Sequence, residues 1–195
     1  FFALTIAMAS ALAQLPSPQL TSVFPPGGKL GTTVDVSVAG ADLDEADKLL
    51  FSHAGITAAA KMGTATALEP AKPVANAFTV SIAADVPPGI YEARVHGRFG
   101  LSNPRSFVVG STADAIDPGG NTTAEKALEL PLGTTINGRV DASTYDYFRL
   151  NLAAGQRVIF EVTARRIDSR LDGTLVLLDP NGREIKRAKG GAGAD

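Results

Sequence analysis

The tightest limit on what this chain can fold into lies in residues 146–187. Asp146-Tyr-Phe-Arg-Leu-Asn-Leu is followed by Ala-Ala-Gly-Gln and then by Arg157-Val-Ile-Phe-Glu-Val. Apolar and polar residues alternate on both sides of a small-residue turn, the period-two signature of half-buried strands. Leu175-Val-Leu-Leu follows, and then Asp179-Pro-Asn-Gly. Proline presets the second position of a tight turn and glycine is free to take positive φ, so the chain from Arg183 to Lys186 is expected to pair back on Thr174–Leu178. Within Gln156–Arg165 the pattern places Val158, Phe160, Val162 and Ala164 on the buried face.

The same period recurs upstream. Val34, Val36 and Val38 fall on one face of a strand over Thr33–Val38, with Asp35 and Ser37 opposite; Phe78, Val80 and Ile82 repeat it. Tyr91, Ala93 and Val95 oppose Glu92 and Arg94. Short apolar strands are expected at Leu49–Phe51, Ile56–Ala60 and Ser106–Val109, and Asp85-Val-Pro-Pro-Gly and Gly100-Leu-Ser-Asn-Pro read as turns. Asp42–Asp47 reads as an acidic loop, Lys61–Val74 as a mobile loop, and Ala124–Leu130 as at most one helical turn. The expectation is an all-β chain of two consecutive β-sandwich domains, Ig-like and then jelly-roll-like, the second reading as incomplete. Their bounds are 18–110 and 121–195, with a Ser/Asp/Pro/Gly linker at 111–120 and an extended lead-in at 14–17.

Composition narrows the function classes. The 195 residues carry a formal charge of −2 and no basic stripe, which argues against a nucleic-acid partner. Cysteine is absent, which excludes a disulfide framework, a thiolate metal site and a thiol nucleophile. Phe1–Leu12 is apolar, too short to span a bilayer as a helix, and runs into Ala11-Leu-Ala13, a small-x-small cleavage pattern. Residues 1–13 therefore read as a signal peptide whose basic n-region is missing, with Gln14 the first mature residue. That places the chain outside the cytoplasm: secreted, periplasmic or on the cell surface, with no membrane span after cleavage.

Two resemblances follow from these residues. Pro18-Gln-Leu-Thr-Ser-Val-Phe-Pro-Pro-Gly-Gly, Gly31-Thr-Thr-Val-Asp-Val-Ser-Val-Ala-Gly, Pro88-Gly-Ile-Tyr-Glu-Ala-Arg-Val and Gly100-Leu-Ser-Asn together resemble an Ig-like IPT/TIG domain. Asp117-Pro-Gly-Gly-Asn-Thr, Gly138-Arg-Val-Asp, Asp146-Tyr-Phe…Ala-Gly-Gln and Leu175-Val-Leu-Leu-Asp-Pro-Asn-Gly resemble the bacterial pre-peptidase C-terminal domain. That family's closing Gly-Tyr-Tyr-type strand is not found before Asp195, so the second module reads as truncated. The pairing is similar to that of large exported proteins of planctomycete-type bacteria, and it implies a non-catalytic binding, adhesion or spacer role toward an extracellular protein or polysaccharide. The alternative it implies is an accessory region of a secreted peptidase or other hydrolase.

Some pre-peptidase modules bind calcium near their start, and the residues that match here are Asp117, Asn121, Asp141 and Asp146. Calcium takes six to eight oxygens. The family's Glu-Pro-Asn-Asn start stands here as Asp117-Pro-Gly-Gly-Asn, which loses ligands and shifts their spacing, and turn roles account for each residue. Hydrolytic chemistry would need His53 or His96 beside Ser52, Ser102 or an Asp, but no Gly-x-Ser-x-Gly elbow is present. Arg165–Asp172 alternates in charge as a solvated loop does, and Asn121-Thr-Thr is an N-glycosylation sequon that a bacterial chain leaves bare.

Overall fold

The computed structural model describes residues 15–67 and 69–189; the signal-peptide reading at 1–13 and the glycine-rich end at 190–195 lie outside them. The fold is all-β. Nine strands build the first half: β1 (Gln19–Phe24), β2 (Gly27–Lys29), β3 (Thr33–Ala41), β4 (Lys48–Phe51), β5 (Ile56–Met62), β6 (Pro73–Ile82), β7 (Gly89–Gly97), β8 (Gly100–Leu101) and β9 (Arg105–Gly110). They form one sheet in the order β1-β3-β6-β5 and a second in the order β2-β9-β7-β4, with β8 hairpinned onto β7.

The alternation read from the sequence is what closes these sheets on each other. Leu20, Val36, Val38, Ile56, Phe78, Val80 and Ile82 from the first sheet meet Leu49, Ala93, Val95, Phe107 and Val109 from the second in one buried cluster. Val34 and Tyr91 pack partly buried against it. Phe107 and Phe51 meet edge to face, 5.0 Å between ring centres. Asn103 stitches the sheets at one end. Its side chain accepts from the Leu20 amide (2.7 Å) and donates to the Leu20 carbonyl (3.0 Å), while Arg105 Nε donates to the same carbonyl at 2.9 Å. Gly40 pairs with Leu20 across β1 and β3, so closely that a Cβ there would run into the Gln19 carbonyl.

One expectation for this half changes. Lys61–Val74 is not a mobile loop throughout: its ends belong to β5 and β6, with Met62 paired to Pro73. Gly63 N–H donates to the Lys72 carbonyl (2.8 Å), and the tip is tied by Thr66 N–H to the Glu69 carbonyl (2.9 Å) and a Lys72–Glu69 pair at 2.6 Å. Low hydrophobicity here marks an exposed hairpin. Pro73 is tolerated because it is the first residue of β6, where β3 does not yet pair.

The second half is built from short pieces: β10 (Ala113–Ile116), β11 (Leu128–Glu129), β12 (Thr134–Asn137), β13 (Phe148–Arg149), β14 (Thr174–Leu178) and β15 (Glu184–Lys189), with single 3-10 turns at Ala124–Lys126 and Arg165–Ile167. β10 pairs with β12 and β11 with β13, both parallel; β14 and β15 form the expected hairpin. In its turn the Asp179 carboxylate accepts from the amides of Asn181 (2.8 Å) and Arg183 (2.9 Å), and Gly182 adopts φ 79°.

Two readings of this half are corrected. Residues 113–116, read as linker, form strand β10. Gln156–Arg165, read as a strand, joins no ladder among the described residues. The inward face is only partly covered: Ala164 is buried and Val158 and Phe160 are half-buried, but Val162 is exposed, and on the opposite face Ile159 is 93% exposed. An alternating segment becomes a strand only when a neighbouring strand pairs with it.

Candidate functional site

The four residues singled out for calcium gather around the start of the second half. Asp117 follows β10 directly, and its amide donates to the Asn137 carbonyl at 2.9 Å. Its Oδ1 accepts from the Gly119 amide (2.9 Å), and Gly119 and Gly120 both take positive φ to turn the chain back. That turn drives Asn121 inward, to 3% exposure. Asn121 Nδ2 donates to Asp117 Oδ2 (3.3 Å) and to the Tyr147 carbonyl (3.2 Å), while its own carbonyl accepts from Tyr147 N–H (2.8 Å). Asn121 thus joins the Asp117 turn to the run into β13. Asp141 heads a separate turn in which its carbonyl accepts from the Thr144 hydroxyl at 2.7 Å.

Asp146 connects the two turns electrostatically. Partial burial raises its carboxyl above the ordinary value, and the negative charges of Asp117 and Asp141 raise it further. The crowd of like charges has one unfilled polar group beside it: Asn121 Oδ1 is buried and has no hydrogen-bond partner. Both features favour a cation. Convergence does not: among the described residues no three His, Cys, Asp or Glu side chains stand together closely enough to hold a metal ion. As placed, the four residues belong to two turns linked through Asn121 and Asp146.

Of the residues that hydrolysis would use, Ser52, Ser102 and His53 are taken up by the backbone. Ser102 is 2% exposed; its hydroxyl accepts from Val95 N–H (3.0 Å) and donates to the Asn103 carbonyl (2.8 Å). The Ser52 hydroxyl accepts from Glu92 N–H at 3.0 Å. His53 Nδ1 accepts from Gly55 N–H at 3.0 Å, which leaves Nε2 as the protonated nitrogen of the neutral ring. His96 Nδ1 lies 2.8 Å from Asp47 Oδ1 on the surface, and that contact holds the Asp47 carboxyl below its usual range.

The acidic loop is more built than its composition suggested. Asp42, Leu43, Asp44, Glu45 and Ala46 line an open cleft of about 440 Å³ together with Gly40, Ala75 and Asn76. Asp44 and Asp47 anchor it to β7: the Asp44 carbonyl accepts from Arg98 N–H (2.9 Å), and Asp47 N–H donates to the His96 carbonyl (3.0 Å).

The charged stretch 165–172 holds the ion pair Arg165–Asp172 at 3.4 Å, as a solvated loop would. It also holds a contact that the alternation of charges did not signal. Asp168 reaches across to β9, where its carboxylate accepts from both the amide (2.8 Å) and the hydroxyl (2.9 Å) of Ser106. The only local sign of it is an Asp in the left-handed region, φ 63°, which a sequence does not display.

The chain matches no family model, no curated protein and no solved structure. No helix among the described residues is long and apolar enough to cross a membrane.

Proposed function

We propose that this chain is a non-catalytic part of an exported bacterial multidomain protein, its Ig-like and pre-peptidase-like modules serving as extracellular binding, adhesion or spacer units. The observation that carries this reading is the disposition of the chemistry-bearing side chains. Ser52, Ser102 and His53 each satisfy backbone groups of the first sandwich, and His96 is paired with Asp47 on the surface, so these candidates among the described residues are engaged in structural contacts. The resemblances of 18–110 and 117–187 supply the module names, and the Ala11-Leu-Ala13 pattern supplies the extracellular address. The alternative, an accessory region of a secreted hydrolase, makes the same statement about these residues.

The test has two arms. Purified chain at micromolar concentration is offered fluorogenic ester and peptide substrates, and turnover is expected to stay at the buffer rate. Turnover that Ser52→Ala or Ser102→Ala abolishes would overturn the reading. For the address, residues 1–17 preceded by an added basic start are fused to an alkaline phosphatase reporter, which is active only after export. A silent reporter of normal abundance would remove the extracellular placement.

A further inference from the structure

We infer that the joint between the two halves is a preset latch closed by Asp168, so that the halves form one stiff body. This does not rest on the functional reading above. The starting point is the edge of β9. Ser106 pairs with Glu92 of β7 on one side, while β2 covers only Val108–Gly110 on the other. On that second side the Val108 amide donates to the Pro26 carbonyl at 2.8 Å. The Ser106 amide, two residues earlier and therefore on the same side of the strand, lies past the end of β2. Asp168 fills this vacancy in the ladder, its Oδ2 taking the Ser106 amide and hydroxyl together.

The second half is shaped to deliver that carboxylate. The 3-10 turn Arg165–Ile167 ends on Asp168, whose amide donates to the Arg165 carbonyl at 3.1 Å and whose φ of 63° turns the chain. Ala164, at the turn's start, is the one buried apolar residue among the described residues that lies outside the first half's core. Arg105 works from the other side: Nε holds the Leu20 carbonyl and Nη1 reaches the Asp168 carbonyl at 3.5 Å. A charged acceptor shared by an amide and a hydroxyl is stronger than a neutral hydrogen bond.

Asp168 does not cross the joint alone. The Arg139 guanidinium lies 4.0 Å above the centre of the Phe24 ring, a cation–π contact between the loop after β12 and the end of β1. β10 packs beside β2, close enough for Lys29 to act on Asp114. Contacts at Phe24, at β2 and at Ser106 leave one half little freedom to turn on the other.

The experiment uses the whole chain and NMR, reading amide exchange and 15N rotational tumbling. Wild type is expected to tumble as one body with a protected Ser106 amide. Asp168→Ala should raise Ser106 exchange about tenfold or more, while Asp168→Asn, which keeps one acceptor oxygen, should retain most of the protection. Asp168→Gly removes the carboxylate and eases the positive φ; it should behave as Asp168→Ala does. Adding Arg139→Ala to Asp168→Ala should split the tumbling into two rates. Unchanged Ser106 exchange in Asp168→Ala, or a single rate in the double variant, overturns the latch. So does loss of protection at Val80 and Phe107, since Asp168 would then be supporting the first core and not the joint.

Discussion

Strand β3 and the segment 156–164 are written in the same code. Each alternates apolar and polar residues, and each offers one face that wants to be dry. In β3 that face is sealed, with Val36 and Val38 at 2% and 5% exposure. In the second segment the matching face is left partly open, with Val158 and Phe160 only half-buried and Val162 37% exposed. The difference is in the neighbours. β3 is flanked by β1 and β6 and faces a second sheet, whereas 156–164 pairs with no strand among the described residues. Alternation specifies which face turns inward; only flanking strands and an opposing sheet supply an inside.

The contrast can be broken most forcefully at the aromatic residues. Phe78 lies in the centre of the first core at 1% exposure, so Phe78→Ala should cost about 3–5 kcal/mol, read by urea denaturation of the whole chain. The same truncation at half-buried Phe160 should cost less than about 1 kcal/mol. Equal losses at the two sites would mean that the second half closes a core of its own in solution. Next in size is Gly40→Ala, which forces a methyl group toward the Gln19 carbonyl and Leu43; it should cost about 1–3 kcal/mol and lower Tm in a thermal melt. Ile159→Thr should change stability by no more than about 0.5 kcal/mol and should reduce self-association in sedimentation velocity.

The smallest effect sharpens the site. Because the Asp146 carboxyl is raised in the folded chain, its ionisation opposes folding: this cost is absent below the unfolded pKa and reaches its full size once pH has risen through the folded value. Asp146→Asn should therefore raise Tm slightly at pH 7, and the difference should shrink on acidification into the carboxylate range. The gain should be the same with EDTA and with millimolar calcium. A wild-type Tm raised by calcium and insensitive to it in Asp146→Asn would show that an ion draws the four residues together.

Legibility followed the range of the interaction that decides each feature. The faces of β3, β6 and β7 and the turn at Asp179–Gly182 were readable because period and turn chemistry act within a few residues. β10 was not: Ala113-Asp-Ala-Ile has little strand character and is extended by its parallel partner β12, more than fifteen residues away. The neighbourhood of Asp117 and Asn121 follows from a four-residue spacing with two glycines between them, but the approach of Asp141 and Asp146 depends on how β11 and β13 pair. Asp168 lay beyond local reading altogether, since its partner is 62 positions away.

The burial of Asn121 carries a consequence for anyone producing this chain in a sugar-adding host. The sequon nitrogen is the same Nδ2 that donates to Asp117 and Tyr147, in a side chain almost wholly withdrawn from solvent. A transferase can reach it only before that pocket forms. Sugar on Asn121 would therefore act as a timestamp, marking molecules captured while still unfolded, and the bare fraction would report how quickly the second half assembles.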